Sequence, residues 1–224
     1  MLRKSIFTEG EYYHLYNRGT EKRNIFSLQK DYERFVALLY LSNSAESIHI
    51  DNLNRGERGE TLLTKAVDIG RGETLVDLGA YVLMPNHFHL LVKEKTTGGI
   101  SKFMQKLTTG YTMYFNKRHE RTGALFQGVF KSTHASEDRY LKYLISYIHL
   151  NPIKLIEPKW KETGVTNHAK AEQYLQTYHY SSYLDYAGQV REENNIINKT
   201  SLPNYFEKTT DFNSHIADWL KYTD

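Results

Sequence analysis

Two histidines, His87 and His89, flank one phenylalanine in the run AYVLMPNHFHLLVK at residues 80–93. On a strand, side chains two apart share a face, so both imidazoles project together while Phe88, Leu90 and Val92 turn the other way. A polar pair opposite an apolar triplet describes a half-buried strand able to carry a metal ion. A second segment, Tyr147-Ile148-His149-Leu150-Asn151-Pro152, offers a hydroxyl nucleophile and further donors. On a helix Tyr147 and Asn151 are one turn apart and share a shoulder. His149 falls roughly 160° from Tyr147 on the helical wheel, which disfavours it as a co-ligand. If the Tyr147 shoulder faces the histidines, two imidazoles and an amide oxygen make a mixed N/O site with open positions, suited to Mg²⁺ or Mn²⁺. Such an ion would hold the oxygens of a phosphate under attack. That help matters, because a tyrosine hydroxyl with its usual pKa of about 10 is a poor nucleophile.

The elements that must position these residues read from periodicity. Residues 12–17 (YYHLYN) are rich in β-formers and end at Arg18-Gly19, which predicts a strand. Residues 31–43 carry Phe35, Leu38, Leu39 and Ser42 at helical spacing. Residues 76–83 and 87–93 read as strands joined by Met84-Pro85-Asn86. Residues 99–119 read as a helix with Ile100, Phe103, Met104, Leu107, Tyr111, Tyr114 and Phe115 on one broad face. Residues 128–134 predict a strand, and 137–151 a helix stopped by Pro152. The inward stripe of that helix is Leu141, Leu144, Ile145 and Ile148, with Tyr140 near Tyr147 and Tyr143 turned toward solvent.

The order predicts an α+β, ferredoxin-like antiparallel sheet with helices packed on one face, plus a C-terminal appendage. Residues 1–155 would form the catalytic domain and 156–224 an extension packing on it. Residues 51–75 do not fit the plan. They contain Arg-Gly-Glu-Thr-Leu twice, at 58–62 and 71–75, in a polar setting, and predict a mobile insertion.

The chain has 224 residues and no cysteine, which excludes disulfides and thiolate metal sites. It has no apolar run of membrane-spanning length and no secretory leader at its start, so a cytoplasmic protein with no membrane partner is expected. The 29 basic and 26 acidic side chains leave only +3, a weak sign of nucleic-acid binding. Placement says more. Lys102, Lys106, Lys117, Arg118, Arg121 and Lys131 cluster mid-chain, and the 18 tyrosines offer stacking surface.

Other chemistries fit less well. Leu90 and Leu91 follow His89, so the H-x-H-x-D-H pattern of a zinc hydrolase is absent. A two-histidine phosphoesterase needs paired H-x-[ST] motifs, and His87-Phe88-His89 lacks the hydroxyl. A non-catalytic nucleic-acid-binding ferredoxin-like domain is the alternative. It would explain the tyrosines and bases but leave His87, His89 and Asn151 aligned by accident.

PNHFHLLV resembles the metal-binding motif of the HUH single-tyrosine transposases, and SYIHLNPIK resembles the nucleophile helix of their REP-associated branch. The similarity extends through YHLYNRG (13–19), GALFQGVFK (123–131) and YSSYLDYAG (180–188). The resemblance implies the HUH endonuclease fold, with His87 and His89 as metal ligands and Asn151 as the third. It implies Tyr147 as the nucleophile of a 5′-phosphotyrosine link, Mg²⁺ or Mn²⁺ as cofactor, and cleavage and rejoining of single-stranded DNA bearing hairpins. Family members act as monomers or homodimers. Arg18, Lys102, Lys106, Arg121 and Lys131 are the candidate DNA contacts. Some HUH nucleases use two tyrosines one turn apart, but the outward position of Tyr143 favours Tyr147 alone.

Overall fold

In a computed structural model, residues 7–46, 61–206 and 208–221 are described. Alternation in YYHLYNR produces β1 (Tyr12–Arg18), whose Leu15 is fully buried. Helix α1 (Gln29–Leu41) follows, its first turn held by Asp31, whose carboxylate accepts from the Ser27 and Leu28 amides. Residues 61–75 are not an irregular loop. They hold α2 (Leu62–Ile69), capped by the Thr61 hydroxyl and packed on α1, and Arg71 stacks over Tyr40. An apolar stripe containing the buried Leu63 and Ala66 overrides the polar look of this segment. The 51–60 part of the expected insertion, including most of the first repeat, lies outside the described residues.

Strands β2 (Val76–Met84) and β3 (His87–Glu94) form a hairpin across Pro85-Asn86, with Met84 opposite His87. The turn is fastened from the side: the Ile25 and Phe26 amides donate to the Pro85 carbonyl, and the Gly19 amide to that of Asn86. Gly19 has to be glycine, since a Cβ there would lie 2.4 Å from the Arg23 carbonyl oxygen. Helix α3 (Gly99–Arg118) buries Ile100, Phe103, Met104, Leu107, Tyr111 and Phe115. Strand β4 (Lys131–His134) is shorter than expected, because Gly128 takes a positive φ and its neighbour Gln127 bonds to the Arg18 carbonyl. Helix α4 (Asp138–Leu150) continues into a 3₁₀ turn containing Pro152.

The four strands form one antiparallel sheet in the order β2-β3-β1-β4. The α+β sheet is the expected one, and its helices divide between the two faces. Helices α1 and α3 cover the side reached by Phe88, through Phe35 and Tyr111. Helix α4 lies on the opposite side with Leu141, Leu144, Ile145 and Ile148 all buried.

Beyond this unit come α5 (Trp160–Thr163), α6 (His168–Thr177), α7 (Tyr183–Tyr186) and α8 (Thr209–Lys221). The segment before α7 runs along the free edge of β2. The Leu83 amide donates to the Tyr180 carbonyl, the Ser182 amide to that of Tyr81, and the Tyr81 amide to the Ser182 hydroxyl. The Asp185 carboxylate, fully buried, receives both Nε and Nη2 of Arg191 at 3.0 and 2.5 Å. None of the described helices is long and apolar enough to cross a membrane.

Candidate active site

Register decides which side chains share the face beneath α4. Opposed residues on paired strands point the same way, and Arg18 lies opposite His87, Tyr16 opposite His89 and Lys131 opposite Tyr16. His14, two residues from Tyr16, therefore joins the two histidines of β3. Its Nε2 is 2.9 Å from Nδ1 of His89, with the rings stacked at 5.0 Å. The Nδ1 of His87 is 2.6 Å from Oδ1 of Asn86. Both β3 histidines thus have Nδ1 committed to a neighbour, which leaves Nε2 of each for a common ligand.

Helix α4 brings Tyr147 over this face. Its ring centroid lies 5.5 Å from that of His89 and 5.8 Å from that of His14, edge-on in both cases. Asn151, one turn on, is buried beside the His87 imidazole, and its Nδ2 donates to the Tyr147 carbonyl. His149 is on the other side of the helix, its Nε2 2.8 Å from the Ser182 hydroxyl, among Tyr183, Tyr186 and Phe212. Tyr143 stays exposed, as the wheel requires.

The site is basic, and among the described residues no carboxylate pairs with its imidazoles. Burial, reinforced by Lys161, holds His14 down at about 4. Burial and the Lys154 and Lys161 ammonium groups hold His87 at about 4. His89 is pushed well below its usual value by burial and by His14 and His87. All three are neutral donors or acceptors at neutral pH. Lys161, on α5, sets its Nζ 3.9 Å from the centroid of the Tyr147 ring, and burial with Lys154 nearby lowers its pKa to about 8. Among the described residues, no three His, Cys, Asp or Glu side chains are arranged to hold a metal ion.

The expected basic contacts separate. Arg18 and Lys131 are exposed on the histidine face, with Arg18 bonded to Gln127. Lys102 and Lys106 are on α3, behind the sheet, and donate to carbonyls of residues 44–46. The Arg121 guanidinium ties down the chain after α3 through Asn116 and the Ala124 carbonyl. His14 and Lys161 flank this site, and neither is among the ligands or DNA contacts expected from the sequence. His14 is legible only once β1 and β3 are in register, and no local pattern marks Lys161.

Residues 61–151, from the cap of α2 to Asn151, match the family described as "Transposase IS200 like". A solved structure described as a REP-associated tyrosine transposase bound to a REP hairpin is also similar. Its sequence is 11% identical, the alignment covers 86% of this chain and 90% of that one, and the TM-score is 0.49. No curated protein sequence matches.

Proposed function

We propose that the protein is a DNA transposase that nicks and rejoins single-stranded, hairpin-bearing DNA through Tyr147, using one divalent cation, Mg²⁺ or Mn²⁺. The observation that carries this reading is the position of the Tyr147 ring 5.5 Å from His89, inside the family-matched segment. The donor set fits a cation: two imidazoles whose Nδ1 atoms are already engaged, with the Asn151 amide beside His87. His87, His89 and Asn151 would hold the ion, which when bound polarises the phosphate and offsets charge in the transition state.

The protein's own groups account for the rest. The Tyr147 hydroxyl attacks phosphorus, so the Oη–P bond forms as the P–O3′ bond breaks. The phenol proton ends on the released 3′-hydroxyl. The product is a 5′-phosphotyrosine link that keeps the energy of the broken phosphodiester available for rejoining. Lys161, over the Tyr147 ring, supplies positive charge where the phosphate must sit. Arg18 and Lys131, on the same face, are suited to flanking phosphates.

Incubating the protein with labelled hairpin DNA and Mn²⁺ should give an adduct that survives SDS. The adduct should vanish with Tyr147→Phe and with a chelator. An adduct formed by the Tyr147→Phe protein would overturn the assignment.

A further inference from the structure

Beside Tyr147, between α4 and α8, lies a groove of about 680 Å³ that the proposed chemistry does not use. Its floor is aromatic. The Tyr143 ring is 5.9 Å from Tyr147, 6.1 Å from Tyr140 and 5.5 Å from Trp219. Tyr143 is 39% exposed, while Leu141, Leu144 and Ile145 of the same helix are buried. Helix α8 is held against α4 by the bond between the Ser146 hydroxyl and His215 Nε2, 2.7 Å apart, so Trp219 faces Tyr143 from a fixed wall. Arg139 and Lys142 line the same groove, against Glu137 and Asp218. With those charges in balance, ring surface is the main thing the groove offers a ligand.

We infer that this groove stacks unpaired nucleobases of the strand that Tyr147 attacks, with Tyr143 and Trp219 as the platform. The inference rests on the reading of Tyr147 as a nucleophile toward single-stranded DNA. Every base has a flat π-face, so aromatic platforms bind single strands with little regard to sequence. The row Tyr147, Tyr143, Tyr140 runs along the helix away from the histidines, a path that a stretched strand can follow base by base. A duplex cannot present such faces, because its bases are already stacked on each other. Of the two expected ligands of a hairpin substrate, stem and flank, the groove fits the flank.

The chain has two tryptophans, so Trp160→Phe leaves Trp219 as the sole indole reporter. Titrating that protein with a hairpin carrying unpaired flanks should quench its fluorescence to saturation, while the same hairpin without flanks should not. Tyr143→Ala should weaken binding of the flanked hairpin roughly five- to a hundredfold, and Tyr143→Phe should restore it, which separates stacking from folding. The proposal is overturned if the flanked hairpin binds by anisotropy without changing Trp219 emission, or if Tyr143→Ala binds like wild type. In either case the SDS-stable adduct would still stand, and with it the nucleophile. If the flanked hairpin neither binds nor forms an adduct, both readings fail.

Discussion

The Nε2 atom of His14 lies 2.9 Å from the Nδ1 atom of His89, across the pairing of β1 with β3. His14 thereby orients a proposed ligand from behind rather than joining it. Partners that orient a ligating histidine typically contribute roughly ten- to a hundredfold in metal affinity. His14→Phe should therefore weaken Mn²⁺ binding by that factor and leave the circular dichroism spectrum unchanged. Calorimetry with Mn²⁺ checks it, and equal affinity in the two proteins would remove His14 from the site.

Lys161 should matter through its charge. Removing a group that stabilises developing charge costs on the order of a hundredfold in rate, so Lys161→Met should slow adduct formation by about that much. The pKa of about 8 sets the pH range. As pH rises through it the ammonium loses its proton, and wild-type activity should fall. Lys161→Arg, which stays charged, should keep its rate at high pH. A wild-type profile that continues flat above pH 8 would count against the role.

Stability should depend on acid through His149. Burial holds it at about 3, against 6.5 in an unfolded chain. Between these values the unfolded state takes up a proton that the native state refuses, so stability rises with pH across the window and is lost as pH falls from 6.5 toward 3. His14 and His87, both near 4, act in the same direction. Thermal midpoints measured along a pH series should decline below pH 6.5, and His149→Gln should flatten the decline. An unchanged slope would locate the acid sensitivity elsewhere.

The Asp185–Arg191 pair makes a prediction about the C-terminal segment. Removing one partner of a buried pair costs about 3–5 kcal/mol, because it strands the other charge. Arg191→Met should show that loss in urea unfolding. The double variant Asp185→Leu/Arg191→Met should regain most of it, and a simple sum of the two single effects would argue that the charges do not couple.

The two sequence periods carried most of the site. His87 and His89 share a face because a strand repeats every two residues, and Tyr147 with Asn151 because a helix returns after four. Both relations are local, so they survive folding intact. His14 and Lys161 depend on distant pairing, which one sequence does not display. Lys102, Lys106 and Arg121 stood out for their charge, but carbonyls of residues 44–46, and the chain after α3, claim them. Helix α2 was hidden because its apolar stripe is narrow and sits beside a glycine-rich repeat.

The bonds from Tyr180 and Ser182 to β2 join residues about a hundred positions apart. Contacts between such remote segments form slowly, since a long loop must close before they contribute anything. During synthesis β2 therefore emerges well before its cover, with a row of unpaired amides and carbonyls open to any neighbouring strand. The expected consequence is a folding intermediate vulnerable to self-association until the stretch from Tyr178 to Tyr186 arrives, so a ribosome stalled ahead of it should yield aggregate rather than a smaller folded unit.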